Sequence, residues 1–315
     1  MTADTSRLPG SSPAREDRSG NIYDLGYRGY EGPRLGRRSA IAALLIHSVR
    51  TAYGIGRSSR SKIVPIGLAL MAILPALLAL GIVALISQFG AAGEAIEAIS
   101  PIRYATLFPF IAVLVFLFCA SQAPELFGRD QRSGVLPLYF SRSISRLDYA
   151  AARTLGLLAA LLVLVLAPQL ILLFGRVLVA SDFVAGLGNE LPKMPAAIVV
   201  GLLVVGLVGT VSAATAALTP RRSYATVAII AIFLVPNIVA ALMVELETGL
   251  LGQLAVLLSP SDVLDGINST LFGTIPDNPT VEAADLDGWL YLAAAATWIT
   301  VSVALLTRRY KRMDV

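Results

Sequence analysis

Cysteine and histidine are almost absent from this 315-residue chain, which has one of each, Cys119 and His47. A single cysteine excludes an intrachain disulfide bond and a thiolate metal cluster, and a single histidine excludes a histidine-rich metal site. Charged residues make up only 15% of the chain, whereas a soluble domain has roughly 25%. Apolar residues account for 56%, with a mean hydropathy of +0.74, and they occur in long blocks. This composition excludes a soluble globular enzyme and a disordered chain, and it predicts a protein with several membrane spans.

Motifs for catalysis and nucleotide binding are missing as well. None of the three lysines, Lys62, Lys193 and Lys311, follows the glycine of a GxxxxGK[ST] phosphate-binding loop. The HExxH, CxxC and GxSxG patterns do not occur either. We therefore expect a chain that is not an enzyme, has no catalytic or metal-binding residues and holds no cofactor of its own.

Six apolar segments reach the roughly 20 residues that a helix needs to cross a bilayer. They are residues 63–86, 104–123, 154–175, 194–218, 223–244 and 288–307. They predict an all-α polytopic membrane protein with six transmembrane helices, in a transmembrane domain of residues 63–307. A further apolar stretch, Leu250–Leu258, is too short to span, and Asp262 is placed to cap a second short helix after it. We interpret this pair as an external re-entrant or interfacial hairpin between spans 5 and 6.

The distribution of basic residues predicts the orientation of these spans. All but three of the 25 lysines and arginines lie before span 1, between spans 2 and 3, between spans 4 and 5, or in the tail of residues 308–315. The three exceptions are Arg103, Arg176 and Lys193. Because basic residues favour the cytoplasmic side, both termini are expected in the cytoplasm, with span 1 as an uncleaved signal anchor. Membrane topology and anionic lipid explain the basicity better than nucleic-acid binding does.

Two segments precede the first span. Residues 1–35 have the glycine, serine, proline and charge content of a mostly disordered cytoplasmic tail. This tail contains three closely spaced tyrosines, Tyr23, Tyr27 and Tyr30, which belong either to a docking motif or to an idle tail. Residues 36–60 predict an amphipathic helix on the cytoplasmic leaflet, because apolar residues recur along one helical face: Ile41, Leu44, Leu45, Val49 and Ala52.

The connection between spans 2 and 3, residues 123–149, is long and mixes charged with apolar side chains. It predicts one or two short helices that present a surface to a partner. The alternative is a solvated loop whose aromatic residues rest on lipid headgroups.

The predicted spans have little transport chemistry of their own. No acidic residue or charge pair is evident at the middle of any span, although proton- and sodium-coupled transporters usually need one there. Two polar residues lie at depth beside prolines, Gln169 after Pro168 and Asn237 after Pro236. They either line a cavity or hydrogen-bond the carbonyls that the prolines free. A transport protein of this kind takes its energy from elsewhere.

Together these features resemble the type-2 ATP-binding-cassette (ABC) export permeases, which have the type V exporter fold. The resemblance covers the chain from about Tyr23 onwards. In the connection between spans 2 and 3 it is carried by Glu125, Asp130, Arg132, Ser133-Gly134, Leu136-Pro137-Leu138, residues 141–146 and Tyr149. Ser143 replaces the usual proline, and Arg153 stands where members commonly have a lysine. The motif of residues 23–34 is similar to that of permeases from high-GC actinobacteria.

The resemblance implies a coupling helix that contacts a separate ATPase subunit, where ATP and magnesium would bind. The residues it assigns to ATPase coupling are Pro124, Glu125, Leu126, Phe127, Arg129, Asp130, Arg132, Gly134, Leu136, Arg142 and Arg146. It also implies a connecting helix at residues 36–60, a second permease copy or a sister permease, and a bacterial plasma membrane. The expected substrate is amphiphilic, lipid-like or drug-like. The alternatives are a membrane scaffold or regulatory protein that binds a cytosolic partner and, less favoured, a secondary transporter.

Overall fold

The computed structural model describes residues 32, 35–87, 103–141, 144–180, 182–219 and 221–313. Within these ranges the chain is helical and contains no strand. We number the helices α1 to α12: Arg37–Ala52, Ser59–Ser87, Tyr104–Arg132, Leu136–Phe140, Arg146–Val179, Phe183–Glu190, Met194–Leu218, Arg222–Glu245, Leu250–Leu258, Pro260–Phe272, Pro279–Ala284 and Gly288–Lys311. A short 3₁₀ turn, Leu191–Lys193, joins α6 to α7. The tyrosines at 23, 27 and 30 and the last two residues lie outside the described ranges.

In the part of the chain that the structure describes, six helical segments are long and apolar enough to cross a membrane: α2, α3, α5, the run of α6 and α7, α8, and α12. Each of the six apolar segments expected from the sequence lies within one of them, so the chain is an all-helical, multi-pass membrane protein. Each of these segments is longer than the hydrocarbon layer is thick, and α3 and α5 also extend well beyond their apolar segments. With 29 and 34 residues, α3 and α5 are about 44 and 51 Å long, whereas the layer is about 30 Å thick.

Side-chain contacts show which helix termini lie at the same end of the bundle. Glu125 near the end of α3 pairs with Arg222 at the start of α8, and Arg146 at the start of α5 donates to the Lys311 carbonyl at the end of α12. We call this end, where the arginines gather, the basic end. At the opposite end, Asn268 of α10 donates to the Ala105 carbonyl at the start of α3. At the basic end, Arg57 before α2 also pairs with Glu125, and Asp130 of α3 pairs with Arg153 of α5. Gln131 of α3 donates to the Ala217 carbonyl at the end of α7. Spans 1, 3 and 5 therefore begin, and spans 2, 4 and 6 end, at the basic end, so successive spans alternate in direction.

Helix α7 is the most enclosed span, and small residues allow its neighbours to approach it. Two thirds of its most apolar stretch is buried. A Cβ added at Gly209 would overlap the Leu158 side chain of α5, and one at Gly201 would lie 2.8 Å from Leu166 Cδ2. Because these glycines lack a side chain, α5 packs directly against the α7 backbone.

Helices α9 and α10 form a sharply bent pair, with an angle of 95° between them. The bend lies at Ser259, whose hydroxyl caps α10 by accepting from the Asp262 backbone N–H. The expectation that Asp262 itself caps this helix is wrong, because its carboxylate accepts from side chains of other segments. The Ser261 hydroxyl donates to the Phe233 carbonyl at 2.9 Å, and Phe233 lies halfway along α8. The bend therefore reaches the level of the centre of α8.

Helix α1 packs its apolar face against α5. Leu44 and Ala52 on this face are buried, and a Cβ at Gly156 of α5 would overlap Ser48 Cβ. The Tyr53 hydroxyl, just after α1, donates to the Ala160 carbonyl of α5 at 2.8 Å, and burial raises the pKa of Tyr53 to about 12. The face expected to lie on lipid is thus occupied by protein, because α5 extends beyond its apolar segment and offers a packing surface.

Candidate functional site

The connection after span 2, expected to form one or two short helices, begins as a continuation of α3. This helix passes through Pro124 and ends only at Arg132, so residues 124–132 form more than two further turns of the same rigid element. The apolar run stops at 123 because charged residues follow, but Leu126 and Phe127 in the extension are fully buried. Charge therefore ends the apolar segment without ending the helix.

The chain turns back at Gly134, whose φ of +63° lies in the left-handed region that favours glycine. Helix α4 follows immediately, and Leu136 anchors it in the core with 5% exposure. Leu138 in the same helix is 67% exposed. We call the exposed residues of this turn, Ser133, Gly134, Pro137 and Leu138, the tip.

Glu125 ties α3 to two neighbouring segments. Its carboxylate forms an ion pair with Arg57, in the turn between α1 and α2, and lies 3.5 Å from Nη1 of Arg222 at the start of α8. The carboxylate is largely shielded from solvent, so two cations balance one partly desolvated acid. Glu125 thus joins α3 to helices on both sides.

Asp130 ties the end of α3 to the start of α5. It accepts a 2.7 Å hydrogen bond from the Tyr149 hydroxyl and forms an ion pair with Arg153. The Arg153 side chain is 3% exposed and also donates to the Ser48 hydroxyl of α1 at 3.3 Å. This cluster therefore joins α1, α3 and α5.

Aromatic rings surround the buried Tyr149. Its ring centroid lies 5.4 Å from that of Tyr139, 6.0 Å from Phe140 and 5.7 Å from Tyr310 of α12. The Arg153 guanidinium carbon lies over the Tyr149 ring, 5.4 Å from its centroid. Such tilted and edge-on contacts are favourable aromatic geometries, and they fix α4 against α5 and α12.

The start of α5 is determined by a local cap and a distant ion pair. The Ser145 hydroxyl accepts from the Asp148 backbone N–H at 3.2 Å, and the Asp148 carboxylate accepts from the Ser145 N–H. Arg37 of α1 donates to both carboxylate oxygens of Asp148, at 2.8 and 2.9 Å. The Ser-x-x-Asp spacing is a visible capping-box signal. It would have placed the helix start at residue 146, whereas the apolar segment begins only at 154.

The residues expected to contact an ATPase thus fall into three groups. Pro124, Leu126, Phe127 and Leu136 are buried within the chain. Glu125 and Asp130 are committed to ion pairs within the chain, and Arg146 donates to the Lys311 carbonyl. Arg129, Arg132 and Gly134 are exposed. Arg142 lies outside the described residues. The surface available to a partner is therefore smaller than the expected set, and it centres on the tip and the two arginines before it.

A buried carboxylate lies beside α8, although no acidic residue was expected at span depth. Asp262 of α10 is 0% exposed and accepts from Asn237 Nδ2 at 2.6 Å and Asn278 Nδ2 at 2.9 Å. Its Oδ2 has no hydrogen-bond partner among the described residues. The depth of Asp262 did not follow from the sequence, because Asp262 lies outside the six apolar segments and reaches this depth only through the bend before α10.

The two polar residues predicted beside prolines have different surroundings. Asn237 is the donor to Asp262, so its amide serves a contact between helices. Gln169 of α5 is 2% exposed, and its Oε1 has no hydrogen-bond partner within the described part of the chain. Within that part there is also no group of three or more His, Cys, Asp or Glu residues that could hold a metal ion.

Comparison with known proteins does not add a family to this geometry. No protein-family model matches the chain, and no curated protein gives a significant match.

Proposed function

We propose that the chain is the transmembrane permease subunit of an ATP-driven exporter of the type-2 ABC permease kind. The observation that carries the proposal is the continuous extension of α3 into the tip, which is fastened to the turn between α1 and α2, to α5 and to α8 by the ion pairs of Glu125 and Asp130. A rigid extension with an exposed end is what a coupling element needs, because a flexible loop would absorb a push from a partner.

In this proposal the tip contacts a separate ATPase subunit on the cytoplasmic side, where that subunit binds ATP and magnesium. A push on the tip moves the end of α3. Through Asp130 and Arg153 it also moves the start of α5, and through Glu125 it moves Arg57 and Arg222. Three spans and α1 therefore respond together.

The remaining parts of the proposal follow from the orientation of the chain in the membrane. The basic end faces the cytoplasm of a bacterial plasma membrane, α1 is the connecting helix near the inner interface, and α9 and α10 form the external re-entrant pair. A second copy or a sister permease completes the translocation path. The apolar character of the spans favours an amphiphilic, lipid-like or drug-like substrate.

A substitution at the tip tests the proposal. Leu138→Asp places a charge on a side chain that is already 67% exposed, so the fold should be retained. The matched control is Leu246→Asp at the opposite end, where Leu246 is 61% exposed and lies between the exposed Glu245 and Glu247. Each variant is co-purified with an ABC ATPase encoded in an adjacent reading frame, reconstituted in vesicles and assayed for ATP-dependent movement of a fluorescent phospholipid analogue.

We expect Leu138→Asp to lose at least tenfold in complex formation and in transport, and Leu246→Asp to match the unsubstituted chain. Equal loss in both variants, or none in either, would contradict the placement of the contact. A stable complex that hydrolyses ATP without moving any substrate would favour a scaffold instead.

A secondary transporter is the second candidate, and Asp262 is the observation that favours it. A buried carboxylate with an unpaired oxygen at span depth is the kind of group that carries a proton or binds a cation. Transport driven by an ion gradient without ATP would support this alternative.

A further inference from the structure

A cavity of about 590 Å³ lies at the basic end between α1, the end of α3 and the start of α5. Its charged and titratable lining consists of Arg50, Arg57, Arg129, Arg153, Asp130 and His47. Four cations and one carboxylate thus face one cavity, which is partly open to solvent. The described ion pairs account for only part of this charge.

The unbalanced charge comes from Arg50 and Arg129. Arg57 is balanced by Glu125 and Arg153 by Asp130, whereas Arg50 and Arg129 form no ion pair within the described ranges. In addition, Nε of the buried Arg153 has no hydrogen-bond partner there. Guanidinium groups with free donors around a cavity are suited to a phosphate group, which accepts several charge-assisted hydrogen bonds at once.

The pKa of His47 responds to the positive charges around this cavity. Partial loss of hydration lowers its pKa, and the positive charge of Arg153 lowers it further, against the opposing effect of Asp130. Arg129 and Arg50 act in the same direction as Arg153. The imidazole therefore resists protonation beside these arginines, and a bound anion would offset their effect.

The position of the cavity identifies the source of that anion. Arg153 immediately precedes the apolar segment of α5 that begins at 154, so the cavity lies at the level of the lipid headgroups if α5 spans the bilayer. Ile55 lines the cavity and is 54% exposed, and Ile46 on α1 is 52% exposed. Apolar side chains beside a basic cavity suit a ligand that has acyl chains below its phosphate.

We propose that this cavity binds the phosphate headgroup of an anionic phospholipid, with Arg50 and Arg129 as its principal cations. The negative charge of the headgroup then pairs with Arg50 of α1 and Arg129 of α3, and in this way joins α1 to the end of α3. This inference does not depend on the exporter proposal, because it concerns α1, α3 and α5 in any membrane protein with this fold.

The test compares lipids and variants on the full-length chain, delipidated in neutral detergent. Native mass spectrometry measures binding of phosphatidylglycerol and of phosphatidylcholine with identical acyl chains, and a separate titration uses inorganic phosphate. The double variant Arg50→Gln/Arg129→Gln is compared with Arg60→Gln/Arg308→Gln, which removes the same charge from exposed positions outside the cavity.

We expect phosphatidylglycerol to bind at least about tenfold more tightly than phosphatidylcholine, with that preference lost in the cavity variant and kept in the control. Equal binding of the two lipids, or equal loss in both double variants, overturns the proposal. Inorganic phosphate that binds as tightly as phosphatidylglycerol overturns the lipid assignment. The lipid assignment is also overturned if the binding of an ATPase subunit depends on Arg50 and Arg129 and the binding of lipid does not.

A measurement without substitutions keeps the proposal testable if the cavity variant fails to fold. The His47 imidazole is followed by NMR as pH is varied, with and without phosphatidylglycerol. A bound anion beside the arginines must raise the pKa of His47, whereas phosphatidylcholine should leave it unchanged. An unchanged pKa with phosphatidylglycerol at saturating concentration overturns the proposal.

Discussion

Asp130 and Arg153 form the ion pair that joins the end of α3 to the start of α5, and Arg153 is almost completely buried there. The same carboxylate oxygen accepts the 2.7 Å hydrogen bond from Tyr149. A buried arginine next to the apolar part of a span is stable only with a counter-charge. This pair is therefore a structural requirement of the basic end.

Removing the counter-charge should destabilise the fold strongly. Asp130→Asn leaves the Arg153 guanidinium buried and unpaired, which costs about 3 kcal/mol. Cys119 reports the change, because it is the only cysteine and is 0% exposed. We expect Asp130→Asn to react with a thiol-specific dye at a clearly lower temperature than the unsubstituted chain.

The double variant Asp130→Asn/Arg153→Met is the control for this prediction. Methionine removes the buried charge and fills much of the same apolar space, so it should restore more than half of the lost stability. If the two substitutions are instead additive, the ion pair is not what holds α3 to α5.

Close packing of α1 on α5 should depend on Gly156. A Cβ there overlaps Ser48 of α1, so Gly156→Ala forces the helices apart and costs about 1–3 kcal/mol. Gly81→Ala in α2 is the matched control, since a Cβ at Gly81 has no atom within 4 Å. Cys119 labelling on heating should separate the two variants, and equal unfolding temperatures would show that α1 does not need this close approach.

Hydrocarbon thickness explains why the number of spans follows from the sequence. A helix needs about 20 apolar residues to cross the layer, and each of the six such segments lies in a helix of sufficient length. The positions of the helix ends beyond the membrane do not follow from the length of the apolar segments. They depend on partners such as Arg37 and Asp148, which lie 111 residues apart in the chain, and no local pattern pairs them.

The candidate site was only partly predictable for the same reason. Charge and aromatic content drew attention to residues 123–149. The assignment of Glu125 and Asp130 to a partner surface could not be checked without their neighbours, which turn out to be Arg57, Arg222 and Arg153. The start of α5 was easier to predict, because the Ser-x-x-Asp pattern at Ser145 is a capping box that can be recognised in the sequence.

Asp262 discriminates between the two candidate functions. Asp262→Asn preserves the side-chain shape and removes the charge. If the chain is an ATP-driven permease, we expect vesicles with this variant and its ATPase to retain ATP-dependent transport, with no response to a pH gradient. Asp277→Asn is the control, because Asp277 is exposed. Transport by the unsubstituted chain that is driven by a pH gradient alone, and lost in Asp262→Asn only, would favour a secondary transporter.

Acidification should weaken the fold through His47. The pKa of His47 in the folded chain is lowered by partial loss of hydration and by Arg153, so the unfolded chain takes up a proton first, near its ordinary pKa of about 6.5. The free energy of unfolding therefore falls as pH drops through this value towards the folded pKa. Trp289 and Trp298, the two tryptophans, allow unfolding to be followed by fluorescence between pH 7 and 5.5. Since His47 is the only histidine, the difference between the profiles of the unsubstituted chain and His47→Gln isolates its effect from that of partly buried carboxylates such as Asp265. His47→Gln should lack the loss of stability that acidification causes through the imidazole, and an unchanged slope would assign the effect to other groups.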